Sequence, residues 1–205
     1  MPGDPNATLA IIAGGKGSRL QGIPKGLLAL DGRTLLSRLL DLRPFFADAL
    51  LVTNAPEVYA QYGVRSVRDV VSDRGAPGGV HAALVHARTD WIVAIACDMP
   101  FVSAEVTQLL LRSRTEARDV ICFEVAGRPE PLLAAYRSSI AGVWGRALTA
   151  EPSFRELFRH FRTHLVSDSE LRQVDPGMRA IASVNTPEDL ARFGISWPST
   201  EGSAP

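Results

Sequence analysis

The chain has 205 residues with Lys+Arg and Asp+Glu both at 22, so no net field draws it to nucleic acid or to an anionic membrane. With 46% hydrophobic residues it has the material for one α/β domain, and a fold of this size buries roughly 70% of its extended surface. Its two cysteines, Cys97 and Cys122, lie in apolar runs that suit reduced thiols better than a disulfide framework, and no basic leader precedes the first short apolar run, so a cytoplasmic protein is expected.

Leu9–Ala13 is apolar and partly β-branched, which predicts a buried strand opening a parallel sheet. It runs into Gly14-Gly15-Lys16-Gly17-Ser18-Arg19, with Gly22 and Lys25 close behind. Glycines allow sharp turns and close approach to a ligand, and successive backbone N–H groups can form a concavity for phosphate oxygens. Lys16, Arg19 and Lys25 add positive charge to it. The nucleoside-triphosphatase loop would need glycine at Ala10 and a hydroxyl at Gly17, and the dinucleotide fingerprint would need glycine at Leu20, so neither fits. On residue types alone the stretch is either a phosphate or nucleotide loop or an ordinary turn with solvated basic residues.

Gly26–Arg33 reads as a short extended piece and a turn, after which Thr34 caps a helix bearing Leu35, Leu36, Leu39, Leu40 and Leu42 and ended by Pro44. Ala49–Thr53 is a second strand. Asn54 to Gly63 reads as a cap, a helix start at Pro56 and a glycine stop, and Val64–Val67 is a third strand ending at Arg68-Asp69. This alternation predicts a doubly wound α/β sheet with ligands at the carboxyl ends of its strands. Asp73–Gly79 is expected as a flexible loop leading into a helix over Val80–Ala87, whose His81 and His86 read as packed or exposed rather than as metal ligands.

Trp91–Cys97 is the plainest strand, and Asp98 follows it directly. There the carboxylate either meets a ligand in the crevice or caps the next turn; Mg²⁺ needs only one or two carboxylates besides substrate phosphates. Ser103 caps a helix over Ala104–Leu111, Asp119–Phe123 is a strand, and Arg128–Tyr136 reads as a loop feeding a strand, with Glu130 and Glu124 as possible ion-pair partners of Arg128. Ser139–Leu148 is helical. A capping box at Ser153 and Glu156 opens Phe154–Phe161, whose Arg155, Arg159 and the following Arg162 face either solvent or an anion. Thr186, Pro187 and Asp189 start the last helix.

Four strings in this order carry a resemblance: Ala13-Gly-Gly-x-Gly-Ser-Arg-x-x-Gly-x-Pro-Lys25, Cys97-Asp-Met-Pro-Phe101, Arg128 to Tyr136, and Val184-Asn-Thr-Pro-Glu-Asp-Leu190. From Leu9 to about Phe193 the chain resembles the molybdenum cofactor guanylyltransferase family of nucleotidyltransferases. The resemblance implies a three-layer αβα Rossmann-like fold with a mostly parallel sheet, organised as a flexible N-terminus (1–7), one nucleotidyltransferase domain (8–194) and a flexible tail (195–205). The implied reaction moves GMP from GTP to molybdopterin with Mg²⁺ and releases pyrophosphate.

The resemblance makes Lys25, Arg19 and Asp98 catalytic, with Asp98 on the metal. It places the nucleotide on Ala13, Gly14, Gly15, Lys16, Gly17, Ser18, Asn54, Asp69, Gly75 and Gly79, and the acceptor near Arg128 and Asn185, the latter bordering the metal. Guanine's N1–H and amino group need an acceptor, a role for Asp69. The implied partners are GTP or another nucleoside triphosphate, molybdopterin, and molybdoenzymes or their chaperones, with no nucleic acid and no membrane, for a monomer or weak homo-oligomer. Pro24 before the lysine and Ala76-Pro77 in the second glycine stretch depart from the guanylyl pattern. Two readings therefore stand beside it: a cytidylyl or sugar-phosphate nucleotidyltransferase, and a non-catalytic nucleotide-binding adaptor.

Overall fold

The structure, a computed structural model, describes residues 3–14 and 22–198. Strand β1 (Asp4–Ile12) sends Ala7, Leu9 and Ile11 into one core and Ala10 and Ile12 into another, the two-residue period of a strand buried on both faces. Strands β2 (Ala29–Leu30) and β3 (Arg33–Thr34) form a tight hairpin whose turn, Asp31-Gly32, has φ of 52° and 73° at its two residues. Thr34 caps α1 (Leu35–Leu40) by accepting from the Ser37 N–H at 3.2 Å. After β4 (Phe46–Val52), Pro56–Tyr62 winds as a 3-10 helix that stops at Gly63, where φ is 57°, and β5 (Arg65–Val67) follows.

The chain continues through α2 (Gly75–His86), β6 (Trp91–Ala96), α3 (Ala104–Arg112), β7 (Val120–Val125), β8 (Arg128–Arg137) and α4 (Ala141–Ala147). It closes with α5 (Phe154–Phe158), β9 (Thr163–Val166), α6 (Asp168–Val174), α7 (Pro187–Phe193) and β10 (Ile195–Ser196). The main sheet has the order β5-β4-β1-β6-β8-β7-β9 and is parallel except where β8 runs antiparallel to β6 and β7. Leu36, Leu39, Val106, Leu110 and Leu171 bring α1, α3 and α6 onto one face, and Val80, Ala83, Trp144 and Leu157 bring α2, α4 and α5 onto the other. This is the expected three-layer, mostly parallel α/β fold. Each large side chain buried in these layers contributes roughly 1.5–3 kcal/mol. A second sheet, β10-β2-β3, lies over a small separate core of Leu28, Leu30, Leu35, Val184, Leu190 and Ile195.

Several expectations are corrected. The segment expected as a flexible N-terminus is already strand from Asp4, which pairs with Phe46 and whose carboxylate binds Arg114. Ile195 and Ser196, expected in the tail, pair with Leu30 and Ala29; a two-residue strand has no periodicity to read. Gly75–Gly79 is not a loop but the start of α2, where Pro77 is harmless because the first N–H groups of a helix have no intrahelical partner. Arg128–Tyr136 is strand throughout, its prolines accommodated by a register shift against β7, and the Tyr136 hydroxyl donates to the Pro131 carbonyl at 2.6 Å. The basic helix ends at Phe158, and Arg162 spends its fork on Asp119 at 2.9 and 2.7 Å rather than on a ligand. Strand β9 and helix α6 have no counterpart in the sequence reading.

Candidate active site

Side chains converge where β1 and β6 end together. The Cys97 N–H donates to the Ile12 carbonyl at 3.0 Å, so Asp98 emerges from the sheet beside the end of β1. The Met99 N–H turns back onto Ala96 at 3.1 Å, and the Asp98 carbonyl accepts from the Val184 N–H at 2.9 Å, which brings in the segment ahead of α7. Pro24, with φ of −61°, leads into a short 3-10 turn at Lys25–Leu27. Gly26 packs so closely on Tyr59 that a Cβ there would lie 3.0 Å from the ring. Lys25 thereby reaches the end of β6, where its Nζ donates to Asp98 Oδ2 and Asn185 Oδ1, both at 2.6 Å. Both ionic side chains are largely shielded, at 23% and 15% exposure, so the pair interacts more strongly than one at the surface.

Asn185 is held from both ends. Its amide nitrogen donates to Ser183 Oγ at 2.8 Å, and its backbone N–H donates to Asp189 in the capping box of α7. Asp98 and Asn185 therefore present a carboxylate and an amide oxygen to one cationic point. These are hard oxygen donors of the kind Mg²⁺ accepts together with substrate phosphates. Among the described residues no group of three or more His, Cys, Asp or Glu side chains is gathered as a metal cage, so a metal here would depend on its ligand's own oxygens.

Glu130, on β8, is a residue the sequence reading treated only as a partner for Arg128. The antiparallel pairing of Ile95 with Leu133 brings the approach to Glu130 alongside the exit of β6 toward Asp98. Burial raises the Glu130 carboxyl above its usual range, and the charge of Asp98 raises it further. Only the antiparallel pairing of β6 with β8 reveals this neighbour, since nothing in a linear string pairs positions 98 and 130. Cys97, next to Asp98, is buried with its thiol pushed up to about 12 by burial first and by the Asp98 charge second, which makes it a poor nucleophile.

Farther along the same carboxyl edge of the sheet, past β4 and β5, Asn54 and Asp69 meet. Asn54 donates from its amide to Asp69 Oδ2 at 2.8 Å and accepts the Asp69 N–H at 3.1 Å. Asn54 is exposed and Asp69 half-buried, and Asn54 acts as the holder of the Asp69 carboxylate. Gly79 lies beneath: a Cβ there would sit 2.8 Å from Ile12 Cγ2 and 4.0 Å from Asp69 Oδ1, so glycine lets α2 close onto the end of β1.

The remaining expectations divide. Gly14 faces open space, but the Ala13 N–H is used by the Val52 carbonyl at 2.8 Å and is not available to an anion. Gly75 starts α2 with a φ of 54°. Arg128 is exposed at the β7–β8 turn, opposite Val125, and forms no ion pair with Glu130 or Glu124 among the described residues. Gly15, Lys16, Gly17, Ser18 and Arg19 lie outside the described residues. His81 is buried, His86 is exposed, and no described helix is long and apolar enough to cross a membrane.

Comparison with known proteins agrees with this fold. The sequence profile of the MobA-like NTP transferase domain matches residues 9–170. The chain is 32% identical to a probable molybdenum cofactor guanylyltransferase of Carboxydothermus hydrogenoformans over 190 residues, covering 92% of this chain and 95% of that one. It is 30% identical to the molybdenum cofactor guanylyltransferase of Desulfosudis oleivorans over 184 residues, covering 89% and 91%. The crystal structure of molybdopterin-guanine dinucleotide biosynthesis protein A from Archaeoglobus fulgidus superposes with a TM-score of 0.80 at 29% identity, covering 91% of this chain and 96% of that one. The fold alone is shared with the 4-diphosphocytidyl-2C-methyl-D-erythritol synthase of Anaerococcus prevotii, at 13% identity, a TM-score of 0.67 and coverage of 92% and 94%.

Proposed function

Because the chain belongs to the MobA-like NTP transferase family, and so to the nucleotidyltransferases, we propose that it transfers GMP from GTP to molybdopterin and releases pyrophosphate. The observation that carries the reading is the convergence of Lys25, Asp98 and Asn185 within 2.6 Å contacts at the end of β6. Support for the base and the acceptor comes from the relatives, which are named as guanylyltransferases of the molybdenum cofactor.

In this reaction a terminal phosphate oxygen of the acceptor bonds to the α-phosphorus of the triphosphate, and the bond from that phosphorus to the β-phosphate oxygen breaks. A phosphate monoester with a second pKa of about 6 is already largely dianionic at neutral pH, so no histidine or serine base is required. Catalysis then consists of positioning and charge stabilisation. Lys25 and Arg19 neutralise the triphosphate, Gly14 and the glycines after it donate backbone N–H groups, and Arg128 attracts the acceptor phosphate. Asp98 and Asn185 would hold Mg²⁺, which when bound supplies further neutralisation of the phosphates. Asp69, oriented by Asn54, accepts from the guanine edge.

Competition turnover tests the proposal: equal GTP, CTP, ATP and UTP are supplied with molybdopterin and Mg²⁺, and the products are separated by mass. A guanosine dinucleotide is expected. A cytidine product sinks the base assignment, transfer only to a sugar phosphate sinks the acceptor, and nucleotide binding without pyrophosphate release favours a binding module.

A further inference from the structure

The third core sits apart from the two layers that flank the main sheet, and its members bracket the site. Ile23 and Leu28 stand two residues before and three after Lys25, Phe101 stands three after Asp98, and Val184 immediately precedes Asn185. Leu30, Leu35, Leu190 of α7 and Ile195 of β10 complete this core, and Phe193 packs on Phe101 with ring centroids 5.2 Å apart. Strand β10 hydrogen-bonds to β2, just beyond the Lys25 turn, so the end of the chain is tied to its beginning at this point. The backbone link from Val184 to Asp98 completes the connection. Three segments that share little else are thus locked together by one small apolar cluster.

We propose that this satellite core is a positioning device for the reaction, with Leu190 and Ile195 as positioning residues that set the distances among Lys25, Asp98 and Asn185 without touching a substrate. The inference rests on the functional reading above for its catalytic readout, but not for its geometric one. A site of this kind needs its charged groups held closely, because a displacement of about 1 Å costs on the order of 10²-fold in rate. In the main layers, a lost methyl group is surrounded by a large packed body. In the satellite core the same loss falls on six buried side chains, one of which adjoins Asn185 directly.

The test compares Leu190→Ala and Ile195→Val with Leu110→Ala, a cavity in α3 within the first main core, all assayed well below their melting temperatures. Leu190→Ala is expected to lower kcat about tenfold or more with the nucleotide KM changed by less than about threefold, Ile195→Val to show a smaller loss of the same kind, and Leu110→Ala to keep kcat despite a similar fall in melting temperature. The side-chain amide NMR signal of Asn185, which reports its contacts with Lys25 and Ser183, should shift or broaden in Leu190→Ala and not in Leu110→Ala. Equal kcat in the satellite and control variants, with an unmoved Asn185 signal, overturns the proposal. If the wild-type protein shows no transfer, the functional reading fails, and the Asn185 signal alone decides the positioning claim. If Leu190→Ala does not fold, Ile195→Val carries both readouts.

Discussion

The two polar clusters at the carboxyl edge of the sheet, one past β6 and one past β4 and β5, are built on different terms. At one, Lys25, Asp98 and Asn185 come from segments up to 160 residues apart, are partly shielded from water, and rest on a core of their own. At the other, Asn54 and Asp69 lie only 15 residues apart at the exits of neighbouring strands, with Asn54 exposed and Asp69 half-buried, and are held chiefly by each other. On the proposed function, the difference separates two tasks. Charge stabilisation needs preorganised groups in a shielded place, whereas base selection needs a polar pair that meets the ligand's edge and can be altered without disturbing the fold.

The sharpest way to break this contrast is at the shielded cluster. Asp98→Asn keeps the size and an acceptor for Lys25 but removes the charge, and turnover is expected to fall by about 10³-fold, equivalent to ~4 kcal/mol. Circular dichroism and melting should show the fold retained; near-normal turnover in the variant would remove Asp98 from the chemistry. At the other cluster Asp69→Asn should be milder, raising the GTP KM about tenfold while kcat stays within about twofold, as expected for a lost charge-assisted contact to the base. A kcat loss as large as that of Asp98→Asn would erase the division of labour.

Beneath Asn54 and Asp69 the contrast can be sharpened through packing. Gly79→Ala forces a methyl to 2.8 Å from Ile12, a core side chain with little room to yield. Urea unfolding should show a loss of about 1–3 kcal/mol, and an unchanged midpoint would mean that α2 shifts freely.

The smallest effects concern pH. Burial lowers the His81 imidazole below the ordinary histidine value of about 6.5, so its neutral form is favoured in the folded protein. A depressed folded value means that stability is full above about pH 6.5 and is lost as the pH falls from there toward the folded value, because the unfolded chain takes up the proton first. Melting temperature measured between pH 7.5 and 5 should therefore fall on acidification, and His81→Gln should flatten the slope. Glu130 has the opposite sign: its raised value stabilises the fold at low pH and costs stability as the pH rises, so Glu130→Gln should melt higher than wild type at pH 7.5. A lower melting point would show that the ionised carboxylate is a favourable partner in the folded state.

Local chemistry made much of this molecule legible from its sequence. The burial of β6, the caps at Thr34, Ser103, Ser153 and Thr186, the stop at Gly63 and the position of Asp98 just past a strand depend on residues within a few places of one another. Short-range hydrogen bonds and side-chain alternation write themselves into the string, and the motifs pointed to the MobA-like NTP transferases. Tertiary structure alone decided which of those pieces meet. That Lys25 lies between Asp98 and Asn185, that Glu130 neighbours Asp98 through the pairing of β6 with β8, that Gly75 already belongs to a helix and that Ile195 closes a sheet with β2 all depend on partners tens to more than a hundred residues away. Such contacts leave no period in the sequence, because each is selected by the packing of whole elements rather than by the preference of any one residue.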